Sequence, residues 1–264
     1  MSKPSVTTQI DRRGVATVTL VRPERHNAFD DIVIAELSAA FQDVARDERA
    51  RVMVLAATGK HFSAGADLAW MRRMGNASYD ANLADAEALA NMLRTLNELP
   101  KPTIARVQGS AWGGALGLIC CCDLAVAAGS ATFRFTEVRL GLVPATISPY
   151  VIAAIGPRAA RRYFLSAEPI EAETARNLGL LSAAVDESQL DHVVENWIDS
   201  LLRNGPQAMA EAKQLIASIA GKTIDDQLVW HTSETIARMR VSQEGQEGLS
   251  AFLEKRPPSW RQAP

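Results

Sequence analysis

Cysteine is nearly absent from this 264-residue chain, and its three copies stand side by side at Cys120, Cys121 and Cys122. Adjacent thiols supply neither a disulfide framework nor the spaced ligand pairs of a zinc site, so a reduced interior is expected. They follow Leu118 and Ile119 in an apolar, helix-like run, where a small sulfur side chain serves packing. Histidine is equally sparse. His26, His61, His192 and His231 fall at no metal-ligand spacing and in no Ser-His-Asp or Cys-His pattern, so no metal or redox cofactor is expected. An excess of one charge is also missing: a net −2 offers no general attraction to nucleic acid or to an anionic membrane. The opening MSKPSVTTQIDRRG lacks an apolar signal core and an Arg/Ser-rich amphipathic stretch, which makes a cytoplasmic location the expectation. The longest apolar stretch, Ala111 to Gly129, is broken by Asp123 and glycines, and it reads as a buried helix joined to a strand rather than a membrane span.

What remains is an ordinary globular composition, 47% hydrophobic and 22% charged, long enough to bury a sizeable core. Ser5–Asp11 and Val15–Val21 flank Arg12-Arg13-Gly14 and predict an opening β-hairpin. Asp30 or Asp31 is placed to cap a helix reaching about Ala45. Strands are predicted at 52–57, 103–107, 123–128 and 132–135, with a helix near 79–96, the alternation of a mixed α/β layer fold. Beyond Pro149 the pattern turns helical, with candidates at 159–166, 172–178, 189–203, 206–219 and 224–238.

Two segments carry the chemistry. Ala64–Met71 (AGADLAWM) and Gly109–Asp123 (GSAWGGALGLICCCD) each place a small-residue turn after a predicted strand, where a helix can begin. Such turns bring unpaired backbone amides close to a ligand and favour negative charge there. Two of them can aim two N–H groups at one oxygen, as an oxyanion hole does for a thioester carbonyl.

The ordered set Phe62-Ser-Ala-Gly-Ala-Asp-Leu68, Gly109-x-x-x-Gly-Gly114 and Thr136-Glu-Val-x-Leu-Gly141 resembles the crotonase superfamily, the enoyl-CoA hydratases and isomerases. The likeness runs from about Val15 to Trp260. It implies an α/β crotonase-like core of ββα superhelix type over residues 1–203. It further implies a helical module over 204–264 that takes part in oligomerisation, as trimers or dimers of trimers, and in closing the CoA site. The resemblance also implies oxyanion-hole amides at Ala66 and Gly114 and an acid/base at Glu137. CoA contacts are implied from Arg25, Ala28, Ala64, Leu68 and Lys255, with CoA entering as part of the substrate and no prosthetic group. Trp70, Met71, Trp112, Gly117 and Ala145 are candidates for the acyl pocket.

Two positions depart from the family pattern. Its second glutamate, three residues beyond the second oxyanion glycine, is here Gly117, and the Gly-rich loop after the catalytic glutamate is here Pro144-Ala-Thr-Ile-Ser-Pro-Tyr150. Both resemble the branch that hydrates 3-methylglutaconyl-CoA, in leucine breakdown, and isohexenylglutaconyl-CoA, in acyclic terpenoid breakdown. Thr146, Ser148 or Tyr150 is a candidate for positioning water, and Arg72, Arg73 or Arg139 for clamping a distal carboxylate. A single carboxylate also suits a Δ3,Δ2-enoyl-CoA isomerase. RNA binding, known for one animal hydratase resembling this branch, is disfavoured by the net charge and the lack of a lysine-rich helix.

Overall fold

Val52–Ala57 (β3) is buried along its whole length, the pattern of a strand covered on both faces of a parallel sheet. The computed structural model describes residues 4–261 and places β3 in the middle of a six-stranded sheet. The opening hairpin is formed by Val6–Ile10 (β1) and Val15–Leu20 (β2), antiparallel with Val6 opposite Leu20. From β2 onward every neighbour is parallel: β3, then Thr103–Val107 (β4), Leu124–Ala128 (β6) and Ala183–Val185 (β9). A second sheet joins Ala111–Trp112 (β5), Thr132–Arg134 (β7) and Ile170–Glu171 (β8).

Helices cover the first sheet on both faces. Asp31–Arg46 (α1), Tyr79–Asn97 (α3) and Ala115–Cys121 (α4) enclose the larger core, which includes Phe41, Phe62, Leu96 and Phe133. On the other face Leu190–Leu202 (α7) packs Leu190, Val194 and Ile198 against Val52, Val54, Ile104 and Val126. The caps follow from side-chain chemistry: Asp30 accepts from the Val33 N–H and Asp67 from the Ala69 and Trp70 N–H groups. Asp67 thereby starts Leu68–Gly75 (α2).

The short strands β5, β8 and β9 lie outside the sequence expectations, and β8 and β9 both correct the reading of everything after Pro149 as helical. The helix expected at 159–166 begins earlier, as Ser148–Ser166 (α5), and is kinked at Gly156, whose φ of 73° no α-helix accommodates. Ala172–Leu178 (α6) follows as expected.

Pro206–Ile219 (α8), Asp226–Val241 (α9) and Gln243–Leu253 (α10) close the chain. Arg51, beside β3, donates to the carbonyls of Leu202, Asn204 and Trp260, and Lys213 of α8 pairs with Asp123 at 2.9 Å. No helix among the described residues is long and apolar enough to cross a membrane.

Candidate active site

The first turn is built by pairing with the segment before α1. Asn27, buried and left-handed at φ 52°, accepts from the Arg22 N–H and donates to the carbonyls of Thr58 and His61, fixing that segment to the loop after β3. The Phe29 N–H then donates to the Gly65 carbonyl and the Asp67 N–H to the Phe29 carbonyl, each at 2.7 Å. This register skips Ala66, whose N–H has no acceptor among the described residues.

The second turn is anchored by the Gly113 N–H, which donates to the Arg134 carbonyl at 2.9 Å and leaves Gly114 at the start of α4. The Gly114 N–H likewise lacks an acceptor among the described residues. Glycine is required where the turns meet. Gly65 has φ +84°, and a Cβ there would lie 2.9 Å from the Trp112 carbonyl oxygen.

Glu137 follows from the same anchor, because β7 runs from Arg134 into a short 3-10 turn at Glu137–Leu140. A Cβ placed at Gly113 would stand 3.5 Å from Glu137 Oε1, so the carboxyl lies against the second turn. Its Oε2 is buried without a hydrogen-bond partner among the described residues. Burial pushes the Glu137 carboxyl above the usual glutamate range, against a smaller opposing effect of backbone N–H groups.

Ala66, Gly114 and Glu137 line one cavity of about 420 Å³. Trp70, Met71 and Ala145 line it too, with Phe29, Leu89 and Ile147 adding to a mostly apolar wall. A neighbouring groove of about 480 Å³ shares Ala66 and is lined by Arg25, His26, Ala28, Ala64, Asp67, Leu68 and Ala69. Four expected CoA contacts therefore stand together. The half-exposed Arg25 guanidinium is held by Asp67 at 2.9 Å and keeps further donors free for an anion.

Other expected site residues stand elsewhere. Trp112 does not line the cavity: its ring lies 5.6 Å from that of His61, which in turn meets His26 edge-on at 5.1 Å. Gly117 is buried inside α4 and faces Ile147, whose Cγ2 would be 2.4 Å from a Cβ at that position. The space of the family's second glutamate is thus filled by Ile147. Lys255 follows α10 and lines neither the cavity nor the groove of this chain. Arg72, Arg73 and Arg139 also stay out of the cavity wall, and Arg73 is paired with Asp31 at 2.5 Å. Ser148 turns its hydroxyl to the Ala145 carbonyl, whereas Thr146 lines the cavity.

Sequence reasoning missed the contribution of α3. Asn82, Asp85, Ala86 and Leu89 line the cavity at i, i+3, i+4 and i+7, one helical stripe. The two polar residues inside that stripe were the available signal. The cysteines are as expected: Cys121 is buried, its neighbours pack on the core, and burial raises all three thiols, Cys120 and Cys122 to about 12. Among the described residues no group of three His, Cys, Asp or Glu is placed to hold a metal ion.

Two backbone amides without acceptors among the described residues line one cavity with a buried carboxyl oxygen, and a second groove shares Ala66 with it, an arrangement suited to acyl thioester chemistry. The sequence profile described as enoyl-CoA hydratase/isomerase matches residues 11–263, and the chain belongs to that family. A solved enoyl-CoA hydratase from Shewanella pealeana is 49% identical, superposes with a TM-score of 0.95, and the match covers 97% of this chain and 96% of that one. The 1,2-epoxyphenylacetyl-CoA isomerase of Escherichia coli is 32% identical over 94% of this chain and 95% of its own length. The short-chain-enoyl-CoA hydratase of Clostridium acetobutylicum is 29% identical over 94% of each. The fold is the α/β crotonase fold, and the protein is an enzyme of the hydratase type acting on a CoA thioester.

Proposed function

We propose that the chain hydrates a 2-enoyl-CoA to a 3-hydroxyacyl-CoA with a single glutamate as acid and base. The observation that carries this reading is the unpartnered Glu137 oxygen in the same cavity as Ala66 and Gly114. The Ala66 and Gly114 amides hold the thioester oxygen as the enolate develops. Glu137, ionised, accepts a proton from water as the water oxygen bonds to the β-carbon, then returns a proton to the α-carbon. Thr146 is the hydroxyl closest in role to a water-orienting group on that wall.

For the acyl group we favour 3-methylglutaconyl-CoA, then isohexenylglutaconyl-CoA. The residues that carry the branch resemblance support this choice, since Pro144, Ala145, Thr146 and Ile147 all line the cavity. Purified wild type is expected to convert 3-methylglutaconyl-CoA to 3-hydroxy-3-methylglutaryl-CoA, followed by mass, and Glu137→Gln to bind the ester without turnover. Absence of product from both glutaconyl esters with wild type overturns the substrate assignment. Δ3,Δ2-Isomerisation is the second reading, favoured by one observation: Ile147 occupies the place of a second carboxylate.

The C-terminal helices support an assembly role, because Trp230, Phe252 and Leu253 present apolar side chains that are 68%, 81% and 78% exposed. We assign residues 204–264 to subunit contact in a trimer or dimer of trimers, with Lys255 brought to a CoA groove by closure of that module.

A further inference from the structure

The proposed chemistry leaves two polar residues of the acyl cavity unused, Asp85 and Asn82. Asp85 sits on α3 and accepts a hydrogen bond at Oδ1 from the Trp70 indole N–H at 3.1 Å. Its Oδ2 has no hydrogen-bond partner among the described residues, and Asp85 lines the cavity. Asn82, one turn earlier, spends its amide on the carbonyls of Met74, Ala77 and Ser78 and so braces the α2–α3 corner rather than the ligand.

Among the described residues lining the cavity there is no lysine or arginine, while there are two carboxyl groups, Asp85 and Glu137. An acyl chain ending in a carboxylate therefore meets no cation there. Two carboxyl groups brought together in an apolar site do not both ionise; they hold one proton between them.

We propose that Asp85, steadied by Trp70, is the specificity-determining residue that takes the distal carboxyl of the acyl chain through one shared proton. The idea rests on the glutaconyl reading given above. Binding such an ester takes up one proton from solvent, and the pair carries a single negative charge. No covalent bond changes.

The surroundings of Asp85 suit this role. Burial pushes its carboxyl above the usual aspartate range, the Trp70 hydrogen bond opposes this, Asp31 adds to it and Arg73 lowers it. Asp31 on α1 and Arg73 on α2 are paired with each other, so their fields partly cancel at Asp85. Glu137 is the remaining ionisable group of the same cavity. It also meets a distal carboxyl and not a butyryl chain, so the pH slope of the ratio is assigned to Asp85 only by its loss in Asp85→Asn, where Glu137 is unchanged.

The test uses two unreactive probes, 3-methylglutaryl-CoA and butyryl-CoA, titrated into wild type, Asp85→Asn and Asp85→Leu between pH 6 and pH 8.5. In wild type the affinity ratio of the two probes is expected to fall with pH, by up to about tenfold per pH unit once the shared proton must be taken from solvent. Asp85→Asn donates a hydrogen bond without a proton and is expected to flatten that slope. Asp85→Leu is expected to lose the distal-carboxyl probe about tenfold or more while keeping butyryl-CoA. A pH slope unchanged in Asp85→Asn, or equal loss of both probes in Asp85→Leu, overturns the proposal. Because both probes report binding, failed turnover of glutaconyl esters by wild type would strike the functional reading separately.

Discussion

Burial raises the Glu137 carboxyl above the ordinary glutamate range, and this has consequences for both rate and stability. If it moves the proton as proposed, its replacement by glutamine is expected to lower kcat by about 10²- to 10⁴-fold, with CoA-ester affinity retained. Steady-state kinetics beside calorimetric titration checks this; a kcat within threefold of wild type contradicts it. The stability effect runs the opposite way. Above the ordinary glutamate value of 4.5, the folded protein holds this proton more tightly than the unfolded chain does. Unfolding then releases a proton, so the stabilising contribution present at low pH is lost as pH rises through the raised folded value. Glu137→Gln is therefore expected to melt above wild type at pH 8, with the gap closing toward pH 4. A melting curve in which the variant is less stable at pH 8 contradicts the raised carboxyl.

Element packing explains why the second family glutamate cannot simply be restored. A Cβ at position 117 of α4 would approach Ile147 Cγ2, just ahead of α5, to 2.4 Å. Gly117→Ala is expected to destabilise by ~1–3 kcal/mol through this overpacking. Ile147→Ala alone is expected to cost ~2–5 kcal/mol as a cavity. The double variant should fall short of their sum by at least ~0.5 kcal/mol, because each change relieves the other. Urea denaturation of the four proteins decides it, and strict additivity means the two residues do not compete for one space. The turns of the site were legible in the sequence because glycine at 65, 113 and 114 has few other uses after a strand. The contribution of α3 was not, since a stripe of Asn82, Asp85, Ala86 and Leu89 reads equally well as an ordinary amphipathic face. Strands of two or three residues, such as β5, β8 and β9, are too short for alternation to show, and their pairing partners lie far along the chain.

At the scale of the whole molecule, polar ties join the C-terminal module to the core: Lys213 of α8 pairs with Asp123, and Arg51 holds the chain on either side of the last three helices. Its guanidinium is bonded to the carbonyls of Leu202, Asn204 and Trp260 at 3.1 to 3.4 Å, and its Nε is buried without a partner among the described residues. Arg51→Leu is expected to speed amide hydrogen exchange across 204–261 while β3 and β4 keep their protection. Equal loss of protection in the sheet would show that the module and the core unfold as one. If the exposed Trp230, Phe252 and Leu253 serve the proposed subunit contact, analytical ultracentrifugation is expected to give an oligomeric mass, trimer-based on the family resemblance, and a monomer at micromolar concentration contradicts the assembly role.

The central claim is that one glutamate adds water. Wild type is to be incubated with 3-methylglutaconyl-CoA in water enriched in heavy oxygen, with the product weighed and fragmented. One solvent oxygen is expected on the β-carbon of 3-hydroxy-3-methylglutaryl-CoA, and its loss in Glu137→Gln. A product of unchanged formula with a shifted double bond would make the enzyme an isomerase and contradict the hydration mechanism.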